Sequence, residues 1–161
     1  MYLFLDSPNC IWSFHTKEIF NFQHRLTCTD SNVIYKIDDI ICKKSSIGST
    51  TTDFKTRWQN HKSHIKKGVR SCEIASHFTE FNHLDCNTCL NLFDSNLRDI
   101  LRVTIIDKVD VVDSDSPKIK IQKCKKREAY WQNQLKTFSS QGGFNKRDAR
   151  TETKLKSYQK P

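Results

Sequence analysis

The chain of 161 residues reads as one small α/β domain of the α+β kind: a three-stranded, mainly antiparallel sheet with flanking helices. Three observations predict it. Residues 32–37 and 101–106 are short runs rich in β-branched and aromatic residues, the mark of strands. Residues 54–65 and 127–138 carry apolar side chains at helical spacing. Hydrophobic residues make up 36% of the chain, enough for one modest core and thin for two.

The elements follow in order. Residues 1–30 mix aromatic and polar side chains without a clean period and read as an N-terminal extension or linker; the domain proper is expected over 31–148. Tyr35 sits centrally in the first strand. The polar stretch after Asp38 and Asp39 predicts a turn, returning the chain through Ser46, Ile47 and Gly48 as the second strand of a hairpin. A helix follows, capped by Thr52 or Asp53, whose short side-chain oxygens can accept from the free N–H groups of a first turn. Phe54, Trp58 and Ile65 share its apolar stripe, and Gly68 can end it. A second short helix is predicted over 73–81, and a polar loop over 84–98. After the strand at 101–106 come four acids (Asp107, Asp110, Asp113, Asp115) and a break at Ser116 and Pro117. The next ten residues, 118–127, hold six basic side chains. A last helix is predicted over 127–138, with Glu128 in its first turn and Tyr130, Trp131, Gln134, Leu135 and Phe138 on one side. Gly142 and Gly143 close the unit, and 149–161 reads as a basic, disordered tail. No internal repeat is visible.

Composition narrows the function. Four glycines and three prolines exclude collagen-like and Pro-rich linker readings. The mean hydropathy is −0.67, and no apolar stretch approaches the ~18 residues of a membrane helix, so no membrane partner is expected. The apolar start at Met1–Asp6 is too short for a signal peptide and lacks a basic lead. Seven cysteines, an odd number without a secretory signal, read as reduced thiols or metal ligands. The net charge of +9 and pI near 9.3 suit a polyanionic partner, most often nucleic acid. A soluble domain with a basic tail accounts for the charge equally well.

Individual residues carry weak signals. Arg57 and His61 lie four apart on one helix edge, with His64 beyond them. A guanidinium fork suits phosphate, and a neighbouring imidazole exchanges protons near neutral pH. A solvated helix face explains the pair as well. Tyr35 can be a plain sheet aromatic, Glu128 a favourable acid at a helix start, and Asn145 a loop residue.

The ordered set says more. Tyr35 after Val33 and Ile34, the hairpin, Ser46 with Ile47 and Gly48, the helix bearing Arg57 and His61, the helix bearing Glu128, and Asn145 after Gly143 and Phe144 resemble the GIY-YIG nuclease family. The resemblance covers roughly residues 31–148. A narrower match, carried by Asn32–Tyr35, Ile47–Thr50, His77 and Phe78, Asn82 and His83, and Asn145–Arg147, is similar to the endonuclease domain of Penelope-like retroelements. This resemblance implies a metal-dependent DNA endonuclease, acting inside the cell and in the nucleus, with a reverse transcriptase as partner in a parent element. Glu128 would hold one Mg²⁺ or Mn²⁺, and Tyr35 would accept the proton of the attacking water. Arg57 would stabilise charge at phosphorus, His61 would assist proton transfer or orient Tyr35, and Asn145 would orient the phosphate or a water. Lys118, Lys120, Lys123, Lys125, Lys126 and Arg127 would follow the DNA backbone.

The subgroup also implies a zinc site between a cysteine pair and a histidine pair. Cys42, His77 and His83 fit it, and Asp39 stands in the place of the first cysteine. Zinc accepts carboxylate as well as thiolate, though Asp should weaken the site. The alternative is a buried thiol and a helix-face histidine. Cys86 and Cys89 lack a partner pair and read as loop thiols. The main departure is Ser46, where the family signature has Tyr. A serine cannot reach where a phenol would, so the rival expectation is a DNA-binding module of the same fold without activity. A zinc-stapled interaction domain is a third reading.

Overall fold

The structure is a computed structural model and describes residues 10–21, 26–80 and 97–146. Its centre is the strand β3 (Val33–Asp39), with all seven residues buried. The strands β4 (Lys44–Thr50) and β5 (Leu101–Lys108) flank it, both antiparallel, in the order β4-β3-β5. A strand with neighbours on both sides and cover on both faces reads as a continuous apolar run, which is why residues 33–37 carry the clearest strand signal. Tyr35 pairs with Gly48 and Ile37 with Ser46. A bulge between Ile34 and Tyr35 shifts the register with β5, so Ile34 faces Asp107 and Tyr35 faces Ile105.

The alternation of β3 feeds two cores. Val33, Tyr35 and Ile37 pack with Phe54, Trp58, Ile65 and Phe78 on one face. Those partners come from α1 (Phe54–Lys67) and α2 (Glu73–Glu80). Ile34 packs with Ile47, Ile106, Cys124, Trp131 and Leu135 on the other. The fold is thus α+β, a small antiparallel sheet between helices, with a second two-stranded sheet beside it.

Local chemistry explains the ends. Asp53 caps α1, its Oδ1 accepting from the Thr56 amide at 2.8 Å. Gly68, at φ +60°, ends it in the left-handed conformation, which costs glycine least. The β3–β4 turn needs neither glycine nor proline. Asp39 Oδ1 accepts from the amides of Ile41 (2.9 Å) and Cys42 (2.8 Å), an Asx turn, and Lys43 takes φ +56°.

Three expectations need correction. The last helix, α4 (Pro117–Gln134), begins ten residues before the predicted start. Ser116 and Pro117 do not break the chain. Ser116 is the N-cap, its side chain accepting from the Ile119 amide, and Pro117 opens the helix. The basic run is therefore helical, and Glu128 lies well inside α4. The buried stripe is Cys124, Glu128, Trp131 and Leu135, while Tyr130 is 47% exposed and Gln134 is exposed. Second, residues 10–21 form a hairpin of β1 (Cys10–Trp12) and β2 (Ile19–Asn21). Ile11 enters the core, Ser13 Oγ donates to the Leu135 carbonyl at 3.2 Å, and buried Lys36 donates to the Trp12 carbonyl at 3.0 Å. Three-residue strands are too short to display a period. Third, Leu97 and Arg98 open a short helix, α3 (Leu97–Ile100), that runs straight into β5. The rest of the predicted loop, His83, Cys86, Cys89, Arg147 and the tail lie outside the described residues. Among the described residues, no helix is long and apolar enough to cross a membrane.

Candidate active site

Tyr35 points from the middle of β3 toward α1, directly opposite Gly48 of β4. A Cβ at position 48 would lie 2.5 Å from the Tyr35 hydroxyl oxygen. The absent side chain lets the phenol cross β4 and reach the open edge of the sheet. There two residues of α1, one turn apart, meet it. Arg57 Nε donates to Tyr35 Oη at 2.9 Å, and Tyr35 Oη lies 2.8 Å from His61 Nε2.

Burial sets the charge state of this group. Burial, then the charges of Arg57 and His64, push the His61 pKa down to about 3. His61 is therefore neutral near pH 7. The tautomer of the neutral ring decides whether Nε2 accepts the Tyr35 proton or donates to the phenol oxygen beside Arg57; Nδ1 lies 4.0 Å from Cys72 Sγ. Burial raises the Tyr35 pKa, opposed by the charge of Arg57, so the resting phenol keeps its proton.

Glu128 approaches from α4 on the other face. It is 4% exposed and lines the same cavity as Tyr35, Ser46, Arg57 and Asn145, a polar space of about 250 Å³. Its Oε2 accepts from Ser49 Oγ and, at 3.0 Å, from Lys125 Nζ. Its Oε1 lies 3.4 Å from Gln132 Nε2. A hard carboxylate facing a polar cavity fits Mg²⁺ or Mn²⁺, which bind through one or two carboxylates and keep several waters. The Lys125 ammonium already sits on these oxygens.

Asn145 lines the cavity and is held by the edge of β4. Its Oδ1 accepts from the Ile47 amide at 2.9 Å and from Thr137 Oγ1 at 2.7 Å. Its Nδ2 donates to the Ile47 carbonyl at 3.0 Å. The amide is committed to the backbone of β4, so Asn145 shapes the cavity wall. Ser46 Oγ lies 3.4 Å from Asn145 Nδ2, buried and short.

A second cluster lies at the other end of the hairpin. Asp39, Cys42 and His77 bring ligand atoms within 4.8 Å of one another. His77 Nε2 is 3.1 Å from Asp39 Oδ2. Burial, then the charge of Asp39, raises the Cys42 pKa, so without a cation the thiol stays protonated. The donor set of carboxylate, thiol and imidazole fits zinc.

The basic run is less uniform than its composition. Lys123 pairs with Asp115 at 2.5 Å, Arg127 with Asp107, and Lys125 with Glu128. Lys118 and Lys126 are exposed. The helix scatters these charges around its circumference, so they form no single stripe. Sequence reasoning missed Ser49, Gln132 and the inward role of Lys125. Lys125 and Gln132 stand at i−3 and i+4 from Glu128, a signal legible once the helix is extended backward. Glu73, read only as a helix start, also lines the cavity and accepts from the Lys146 amide at 2.7 Å.

Compared with protein-family models, curated proteins and solved structures, the chain has no match in any of the three.

Proposed function

We propose that the chain is a metal-dependent DNA endonuclease of the GIY-YIG type, most similar to the endonuclease domain of Penelope-like retroelements. One observation carries the reading: Arg57 and His61, both hydrogen-bonded to the Tyr35 hydroxyl, share with it and with Glu128 a single cavity. These residues come from three elements and stand in the order the resemblance requires.

The chain's own residues then divide the work. Arg57 holds the phenol oxygen and offers its remaining donors to a phosphate. His61, neutral and a weak base, orients the Tyr35 hydroxyl. Tyr35 would take the proton of a water attacking phosphorus as the phenolate, its own proton having first gone to solvent, and positive charge nearby favours that form near neutral pH. Glu128 and Ser49 would hold a divalent ion, which when bound supplies charge neutralisation at the phosphate and a more acidic water. Asp39, Cys42 and His77 would hold a structural zinc, with His83 as the further ligand. On this reading the partner is DNA, held by the exposed lysines of α4, and the setting is intracellular and nuclear.

Ser46 favours a second reading, a binding module of the same build without activity. Its side chain, on a residue 8% exposed, is too short to replace a phenol. Plasmid nicking with Mn²⁺ separates the two. We expect cleavage by the wild type, none by Glu128→Gln, and faster cleavage by Ser46→Tyr, since a positioned proton-transfer group contributes about 10²–10⁴-fold. If Glu128→Gln cuts like wild type, the site is wrong. If neither wild type nor Ser46→Tyr cuts but salt-sensitive DNA binding remains, the binding module takes its place.

A further inference from the structure

Lys125 belongs by sequence to the DNA-following run, yet its ammonium turns into the cavity. Nζ lies 3.0 Å from Oε2 and 3.3 Å from Oε1 of Glu128. It therefore bridges both carboxylate oxygens, the position from which a cation binds a carboxylate most closely. Ser49 Oγ and Gln132 Nε2 occupy the flanks of the same group. A carboxylate this buried is costly to leave without a counter-charge. The Lys125 side chain is 26% exposed, and its four-carbon stem is flexible, so the ammonium can withdraw without disturbing α4. It lines the same cavity as Tyr35 and Arg57.

We propose that Lys125 is the internal counter-ion of this site. A divalent cation arriving at Glu128 displaces the ammonium, and the displaced ammonium meets the phosphate of the DNA lying in the same cavity. The inference rests on the nuclease reading of the site. An ammonium on this carboxylate opposes a second cation by charge and by holding lone pairs the cation would use, so the Lys125–Glu128 pair competes with metal binding. A lysine that merely decorates the helix would leave metal affinity untouched when its charge is removed. Lys125→Met keeps the length of the stem and deletes the charge, whereas Lys125→Arg keeps the charge.

The test is a Mn²⁺ titration by calorimetry on the full chain, with circular dichroism on each variant as a check of folding. Lys125→Met should bind Mn²⁺ roughly five- to tenfold more tightly than wild type, the scale of a partly buried ion pair removed from competition. Lys125→Arg should bind no more tightly than wild type, and Glu128→Gln should abolish binding. With Ca²⁺, another hard cation for oxygen ligands, the wild-type affinity for a DNA duplex followed by fluorescence anisotropy should rise, and Lys125→Met should lose that gain. Wild-type Mn²⁺ affinity in Lys125→Met overturns the counter-ion, and an undiminished Ca²⁺ gain overturns the delivery to phosphate. In both cases Glu128-dependent Mn²⁺ binding by the wild type leaves the nuclease reading standing. If no protein binds Mn²⁺ through Glu128, that reading falls first and this inference falls with it.

Discussion

Acidification should loosen the fold through one buried ring. His61 is held neutral down to about pH 3, whereas in the unfolded chain it protonates near 6.5. Between those values the unfolded state carries a proton that the folded state refuses, so stability is complete above pH 6.5 and declines as the pH falls. One such proton contributes a slope of about 1.36 kcal/mol per pH unit. From pH 6.5 to pH 4, His61 alone should remove about 3 kcal/mol. That is a large part of the ~5–15 kcal/mol a domain usually has. His15, whose pKa burial and Lys36 also lower, adds a decline of the same sign. The assay is urea unfolding at pH 7.0, 6.0, 5.0 and 4.5 for wild type and His61→Gln, which can still accept from Tyr35. The variant should keep the decline that His15 and the carboxylates Asp30, Asp53 and Asp115 cause, its slope smaller by about one proton's worth. Equal slopes would refute the burial argument for His61.

Three further outcomes follow from the geometry. Gly48→Ala should destabilise by about 1–3 kcal/mol and abolish nicking, because the new methyl group would stand 2.5 Å from Tyr35 Oη; urea melts and the plasmid assay read both effects. Asn145→Ala should cost about 2–4 kcal/mol in urea unfolding, since it orphans the buried backbone of Ile47 and the Thr137 hydroxyl. Metal analysis of purified protein should find one zinc per chain, reduced in Cys42→Ala; protein free of zinc that unfolds normally would remove the Asp39–Cys42–His77 site and leave the nuclease reading intact.

The sequence made the central hairpin and α1 legible because their signals are local. A β-branched run, an Asp cap and a left-handed glycine each act within a few residues. It placed the start of α4 wrongly because ten residues rich in lysine look solvated whether helical or not, and because Ser followed by Pro marks a break as readily as a helix start. The N-terminal hairpin was invisible for another reason: its strands are held by Ser13 on Leu135 and by Lys36 on Trp12, contacts made far away in the chain. Tyr35, Arg57 and His61 could be named in advance and do touch. The neutral state of His61 could not, because it depends on a desolvation that only the packed ring experiences. The hold of Asn145 on β4 was not legible, since nothing local reveals that its amide would face a strand edge 98 residues earlier.

That strand edge has a further consequence. β4 is one of the two outer strands of the sheet, and such an edge is a template on which another chain can build. Here the Phe144 amide donates to the Ser45 carbonyl at 2.9 Å, and the Asn145 amide group engages both backbone groups of Ile47. A side chain thereby imitates one residue of a missing strand and occupies the template at its middle. A chain cut short before Phe144 would keep the sheet and lose this plug. Such a truncation should pair edge to edge with its copies and come out of solution as fibrous or amorphous aggregate, and thioflavin fluorescence with light scattering would record it.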